Sequence, residues 1–344
     1  MQLVPLDRPV PGAEPAADVV NLVFLANLAA QEITGETASS TSVERVQNRL
    51  RGSVEYDTRA FSLVAPDEDP AGYLLLSTPL LEDTQVADVE VILDAAHLPL
   101  PGADFEPEAR AVLDHLYSAA ESLAHKLGRR LVQTWLLHPA AEEPGTGDWA
   151  HLLRSRGYEL GLTEVQGVVT VGDAPTWPAG VTVEVVRDLQ FPTALVPGVL
   201  ELYHRASVDV PHGGMQADPV DWTPKRLRAA AERVRTTRRE VVTVVLSDAT
   251  GPIGISEITR FPGSEPGIAE QGITMISPTA RGRGYGLELK KAALQAASAE
   301  LGATRVYTSN AADNPWMIRI NRHLGWQVIS GGSGWQKVLD TRGQ

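Results

Sequence analysis

A chain of 344 residues has room for two domains of ordinary size, and 43% hydrophobic residues can fill real cores, which excludes wholesale disorder. The absence of cysteine excludes disulfides, thiolate metal sites and a cysteine nucleophile together, and it fits a reducing compartment. A net charge of −13 argues against nonspecific nucleic-acid binding. Residues 1–175 hold 27 acidic and 11 basic residues and are net −16, whereas the remainder holds 16 and 19 and is net +3. A pocket for a polyanion therefore belongs in the second half; the plainer reading of the acidic half is a surface that serves solubility.

The chain opens on a Pro-rich, loose start. Helical spacing follows from Val19 to about Gln31, and again over Val43 to Leu50 with Ser42 as N-cap. The run Val19–Ala30 is too short to span a bilayer and follows acidic rather than basic residues, so it reads as a helix of a soluble protein, with neither export nor a membrane partner. Ala60–Val64 and Tyr73–Ser77 read as a hairpin around Pro66–Gly72, with Val86–Leu93 as a third strand. Apolar spacing then predicts a helix over Pro107–Leu127 ending at Gly128, a strand over Arg130–Leu137, a helix over Trp149–Arg156 and a strand over Val165–Val171. The segment Gly172–Gly180, GDAPTWPAG, breaks both helix and strand and reads as a linker.

The second half repeats that order: a strand at Val181–Val186, helices at Thr193–Ser207 and Pro224–Val234, strands at Val241–Leu246, Ile253–Thr259 and Gln271–Ile276. Thr223 before Pro224 is an N-cap followed by proline at the first helical position. KLGRRLVQTW at Lys126 is echoed by ELGATRVYTS at Glu300, and LLRSRGYEL at Leu152 by RINRHLGWQV at Arg319. The chain reads as two copies of one α/β unit, residues 1–175 and 176–344, each a mixed, mostly antiparallel sheet flanked by helices.

The richest stretch is Gln271–Trp326. There the strand Ile273–Ile276 runs into a basic, glycine-punctuated turn, Arg281–Gly286, that opens a long helix. Glycines let the backbone approach an anion, and the orphan N–H groups and positive dipole end of a helix attract it. An ordinary helix start with solvated arginines is the alternative; a Rossmann turn fits poorly, since the third glycine at that spacing is missing. The first copy has Leu98–Glu106, LPLPGADFE, at this point, whose acids repel phosphate and whose prolines lack donors, so it is expected not to bind such a group.

These residues resemble the GNAT superfamily of acyl-CoA-dependent N-acyltransferases, in the tandem form of mycothiol synthase-like proteins. The resemblance rests on the R-x-x-G-x-G turn (Arg281, Gly284, Gly286), the T-x-N-A segment (Thr308, Asn310, Ala311) and the run Asn314, Met317, Asn321 ending in Leu324-Gly325-Trp326. It covers 181–339 by motif and 1–171 mainly by element order. It implies acetyl-CoA as cofactor, with the N–H groups of Arg281, Gly282, Arg283, Gly284, Tyr285, Gly286 and Leu287 on the pyrophosphate and charge-assisted contacts from Arg281 and Arg283. It further implies that Thr274, Met275 and Ile276 pair with the pantetheine arm, that this strand splays from Val306–Ser309, and that the N–H of Met275 or Ile276 polarises the thioester carbonyl. Asn310 and Met317 belong to the same cofactor set; Asn314 reaches the cofactor arm in this reading, or serves as an N-cap before Pro315.

The family's acid, a tyrosine before the terminal glycine, is absent. Its slot falls at Asn321 or Arg322, with the helix pattern favouring Asn321, which can hydrogen-bond to sulfur but cannot protonate it. Tyr307 and Tyr285 lie nearby in sequence. The acceptor amine must be neutral to attack, so a base is needed: Glu257 is the first choice and Glu270 the second, each otherwise a solvated carboxylate on a strand. His212 and Asp209 sit in the loop that shapes the acceptor pocket in such proteins. The eight histidines show no metal-ligand spacing, so no metal site is expected, and GGSGW at Gly331 reads as part of a terminal hairpin rather than a nucleophile elbow. The expected protein is a cytoplasmic N-acetyltransferase that moves an acetyl group from acetyl-CoA directly to a small-molecule primary amine, or else a non-catalytic acyl-CoA sensor. Nothing in the sequence fixes an oligomeric state.

Overall fold

The computed structural model describes residues 1–66, 68–99 and 103–339. In chain order the elements are β1 (Gln2–Pro5), α1 (Ala17–Thr34), α2 (Val43–Arg51), β2 (Tyr56–Val64), β3 (Gly72–Pro79), β4 (Val86–Leu93), α3 (Pro107–Lys126), β5 (Leu131–Pro139), α4 (Asp148–Ser155) and β6 (Glu159–Thr170). The second series is β7 (Thr182–Arg187), α5 (Val196–Asp209), α6 (Pro224–Thr236), β8 (Glu240–Asp248), β9 (Gly251–Arg260), β10 (Ile268–Ile276), α7 (Tyr285–Leu301), β11 (Arg305–Ala311), α8 (Pro315–His323) and β12 (Gln327–Val338). The two series match element for element. The opening segment is not loose throughout: β1 pairs antiparallel with β2, from Gln2 on Val64 to Pro5 on Phe61.

Local chemistry sets these boundaries. Ser42 accepts from the Arg45 N–H at 3.1 Å and Thr223 from the Arg226 N–H at 3.2 Å, each satisfying an orphan donor of a first turn. The sequence echoes between the copies fall on glycines in the left-handed region: Gly128 and Gly302 after α3 and α7, Gly157 and Gly325 after α4 and α8.

Two compact units result. The first comprises Met1–Val165, His212–Ala217 and Ile329–Gln344; the second comprises Gln166–Pro211 and Asp218–Val328. They differ from a simple division at 175/176 because the final strands are exchanged. Ser330–Val338 of β12 pairs antiparallel with Pro139–Leu131 of β5 in the first unit, and Gln166–Thr170 of β6 belongs to the second. Gly331–Trp335 is thus a stretch of ladder strand, not a hairpin.

In the first unit β1 to β4 run antiparallel, and β5 joins β4 in parallel. α1 and α2 cover one face through Val19, Leu22, Val46 and Leu50, packed on Ala60, Tyr73, Leu75 and Ile92. Leu113, Leu116 and Tyr117 of α3 and Leu153 of α4 cover the other, against Leu74, Leu76, Val132 and Trp335. In the second unit β7 to β10 are antiparallel and β11 runs parallel to β10. Val241, Val245, Ile255 and Met275 pack under α5 and α6, with Val199, Leu202, Leu227 and Val234. On the opposite face α7 packs so closely that a Cβ at Gly254 would lie 3.1 Å from Leu289 Cδ2. The result in each unit is a mixed, mostly antiparallel sheet between helices.

Candidate acyl-donor site in the second unit

Three features of the second unit converge past the middle of β10. First, β10 and β11 pair only from Ile268 on Arg305 to Glu270 on Tyr307, although β10 continues to Ile276 and β11 to Ala311. The strands part there. Second, β10 carries a one-residue bulge against β9 between Gln271 and Thr274, which re-aims the backbone at the parting. Third, β10 leads through a short turn into Arg281–Gly284 and the start of α7.

That turn has the conformation its glycines permit. Gly282 and Gly284 have φ of 78° and 80°, and a Cβ on either would meet nothing within 4 Å, so backbone shape rather than crowding demands glycine here. Gly284 is the N-cap of α7 and offers no side chain to the first turn, which leaves the N–H groups of Tyr285 and Gly286 for an anion, whereas the Leu287 N–H donates to the Gly284 carbonyl at 3.2 Å and the Arg281 N–H to the Pro278 carbonyl at 3.4 Å. Arg281 is engaged elsewhere. Its Nε donates to the Ile276 carbonyl at 3.0 Å, and its guanidinium pairs with Asp209 at the end of α5. Arg283 is exposed, donates among the described residues only to the Thr279 carbonyl at 3.3 Å, and is the more available cation.

Gly286 is half-buried, and a Cβ there would come within 3.0 Å of Ile320 Cδ1 on α8. Asn314 caps α8: its Oδ1 accepts from the Met317 N–H at 3.1 Å, with Pro315 next. Of the two roles open to Asn314, the cap is the one formed. Met317 and Leu287 are half-buried beside these helix starts, as is Tyr285.

Polar atoms without partners cluster on the parted strands. Gln271 donates through Nε2 to the Glu257 carbonyl at 2.7 Å, but its buried Oε1 has no partner, and neither has the buried Nδ2 of Asn310 on β11. Such orphans cost roughly 1–3 kcal/mol each unless a ligand or water serves them. Thr274 exchanges a hydroxyl hydrogen bond of 3.0 Å with Ser256, while Met275 is buried in the core under α5.

Glu257 on β9 lies opposite the bulge of β10. Tyr203 of α5 donates to its Oε2 at 2.7 Å, and its Oε1 is close enough to Gly272 that a Cβ there would sit 3.3 Å away. Burial pushes its carboxyl above the ordinary glutamate value, against the opposing effects of the Tyr203 hydrogen bond and the Arg239 charge. Tyr203, stacked on Trp222 at 4.5 Å, is itself pushed well up by burial and the Glu257 carboxylate, so it stays a donor. Glu270 is half-buried in the paired part of β10, before the strands separate. His212 falls in a segment that belongs to the first unit. Tyr307 donates to Gln166 at 2.7 Å.

Asn321 is fully buried, and its Oδ1 takes a 2.6 Å hydrogen bond from Lys290 of α7. Lys290 is 2% exposed, and burial lowers its ammonium to about 7; the Nδ2 of Asn321 has no partner. Neither Lys290 nor Tyr203 emerged from the sequence as a site residue. The signal for Lys290 was its spacing, four residues after Gly286 and three before Ala293, on the apolar stripe of α7. Among the described residues no cluster of His, Asp and Glu could hold a metal ion, and no helix is long and apolar enough to cross a membrane.

The glycine turn on an uncapped helix start and the two parted parallel strands lie within residues 201–327, and residues 201–327 match the family model described as an acetyltransferase (GNAT) domain. Among solved structures, the chain resembles a tandem GNAT protein from the clavulanic acid biosynthesis pathway, determined without acetyl-CoA, at 20% identity, covering 99% of each chain with a TM-score of 0.73. A GCN5-related N-acetyltransferase from Sphaerobacter thermophilus is 17% identical over 98% of this chain and 96% of that one, with a TM-score of 0.64. A glucosamine N-acetyltransferase region of a fungal multi-domain GH3 β-N-acetylglucosaminidase is 10% identical over 97% of this chain and 38% of that one, with a TM-score of 0.58. No curated protein matches the sequence. The fold is that of two tandem GNAT-like domains.

Proposed function

We propose that the second unit transfers an acetyl group from acetyl-CoA directly to a primary amine of a small molecule, while the first copy in the sequence, residues 1–175, is degenerate and does not share this role. The observation that carries the reading is the parting of β10 from β11 immediately before the uncapped turn Arg281–Gly284. The residues fit the donor. The N–H groups of Tyr285 and Gly286 with Arg283 suit a pyrophosphate, and the part of β10 that β11 leaves unpaired, with the orphaned amides of Gln271 and Asn310, suits the amide-bearing arm. When bound, the thioester supplies an activated acyl group.

The chain's own residues then have separable tasks. Glu257 holds the proton that the acceptor ammonium must lose, directly or through a water, and its raised carboxyl is tuned toward that work. Tyr203 fixes the carboxylate by its hydrogen bond and keeps Oε1 turned to Gly272. Glu270 is the second candidate base. The free Nδ2 of Asn321, oriented by Lys290, is a hydrogen-bond donor for sulfur. A cationic small molecule such as an amino sugar or polyamine is the acceptor class that the chain's acidity favours; the glucosamine acetylation named for the fungal relative belongs to that protein.

The enclosure of Asn321 by Lys290, where a proton donor would stand, favours a second reading: a non-catalytic acyl-CoA-binding module. Thiol release from acetyl-CoA with a panel of amines, beside a direct CoA titration, separates the two. Binding with turnover supports the enzyme, binding without turnover on any amine supports the module, and absence of binding overturns both.

A further inference from the structure

We propose that the first unit holds a binding site for an organic monocation, an amine in its ammonium form on an aromatic or aliphatic body. The inference concerns the first unit alone and does not rest on the acetyltransferase reading. It starts from a gap in the sheet: β4 and β5 pair only from Val86 on Leu131 to Val89 on Thr134, then separate as far as Leu93 and Pro139. The space they leave is a cavity of about 520 Å³, closed on one side by Ala26, Ala29 and Ala30 of α1, whose small side chains do not fill it. A volume of that size is in the range of small-molecule sites.

The walls are apolar and aromatic. Phe105 and Trp149 meet edge to face at 5.5 Å, Trp149 is anchored by its Nε1 donating to the Tyr117 hydroxyl at 3.0 Å, and Trp135 stands 45% exposed at the opening. Such ring faces attract a cation. The lining charges are of one sign: among the described residues no lysine or arginine lines the cavity, and five carboxylates do. Two are neutralised, Glu90 by Arg49 at 2.8 Å and Asp148 by Arg110, whereas Glu32, Asp104 and Glu142 have no ion pair among the described residues.

A further, independent group asks for a donor. His138 is 8% exposed and lines the cavity; its Nδ1 lies 3.2 Å from the Pro139 carbonyl and donates to it, which leaves Nε2 an acceptor, buried and without a partner. An ammonium N–H would satisfy it. A phosphate-bearing ligand is the wrong chemistry: α3 begins on Glu106 and Pro107 with no side-chain cap, and carboxylates stand where an anion would need donors. Of the sequence segment Leu98–Glu106, the residues Leu98, Pro99, Ala103, Asp104 and Phe105 line this cavity, and Leu100–Gly102 lie outside the described residues.

The test is calorimetric titration of the full chain with three indoles of one shape: cationic tryptamine, neutral tryptophol and anionic indole-3-acetate. The expected result is saturable binding of tryptamine at one site, about tenfold weaker binding of tryptophol, and none of indole-3-acetate, the discrimination a desolvated charge and ring faces provide. Ala30→Phe, which fills the cavity, should abolish binding, and Glu142→Gln should weaken it about threefold, as for a partly exposed charge pair. If Ala30→Phe lowers the melting temperature, Trp135→Ala at an exposed position replaces it and should weaken tryptamine similarly. Equal binding of all three indoles, binding indifferent to the variants, absence of tryptamine binding, or displacement of tryptamine by coenzyme A in an Arg283→Glu background would each overturn the proposal.

Discussion

Replacing Lys290 by methionine should make the protein more stable at neutral pH, and the pH dependence of the gain identifies its cause. Lys290 is 2% exposed, has Asn321 as its hydrogen-bond partner at 2.6 Å, and is lowered from 10.5 to about 7 by burial. In the unfolded chain the amine stays charged up to its ordinary value, so between about pH 7 and 10.5 the unfolded state holds the extra proton. Stability then rises with pH through that window. A shift of that size corresponds to roughly 4–5 kcal/mol of cost at and below pH 7, vanishing above 10.5. Methionine of similar length removes the cost but also the hydrogen bond, leaving Asn321 Oδ1 unserved at about 1–3 kcal/mol. The expected net gain is on the order of 1–4 kcal/mol at pH 6.5, turning into a loss by pH 10. Urea denaturation of both proteins at pH 6.5, 8 and 9.5 measures it, and taking the difference between them cancels every other titrating group. A difference that stays constant across this range would refute the reasoning.

Four further outcomes follow from the geometry. Arg283→Glu, a surface change at the turn, should weaken coenzyme A about tenfold or more by calorimetry while Arg281→Ala acts mainly through the lost Asp209 pair; Gly286→Glu is the less discriminating variant, because it also presses on Ile320. Glu257→Gln should lower kcat by about 10²–10⁴-fold and remove the acidic limb of the rate profile, where activity rises with pH as the raised carboxyl ionises. Tyr203→Phe deletes the hydrogen bond that opposes the rise, so the limb should move to higher pH with the base intact. Trp335→Ala, at a fully buried position in the core of the first unit, should cost about 3–5 kcal/mol in a denaturant titration.

Much of this architecture was legible because single residues carry local instructions. Ser42, Thr223 and Asn314 announce helix starts by the hydrogen bonds their side chains make. Gly282 and Gly284 announce a turn that other residues adopt only with strain. The alternation of Val241–Leu246 and the stripe of α3 fix element types whatever lies next to them. What stayed hidden depends on partners far away in the chain. The pattern of Gln327–Val338 is the same whether its neighbour is β11 or β5, so the exchange of final strands leaves no mark on it. β1 is four residues long and reads as coil until β2 pairs with it. Arg281 looks like a phosphate ligand in sequence, and only the fold brings Asp209 to it. Lys290 is counted among polar residues by any hydropathy reading, although it occupies an apolar position.

The pairing of β12 with β5 has a consequence for how the protein is made. Ser330–Val338 supply Trp335 and a whole ladder edge to Leu131–Pro139 of β5, which leave the ribosome long before them. Until these follow, β5 presents an open edge, a template for the wrong neighbour. The first unit is therefore held unfinished until β12 has emerged, with the slow closure expected of contacts so distant in sequence.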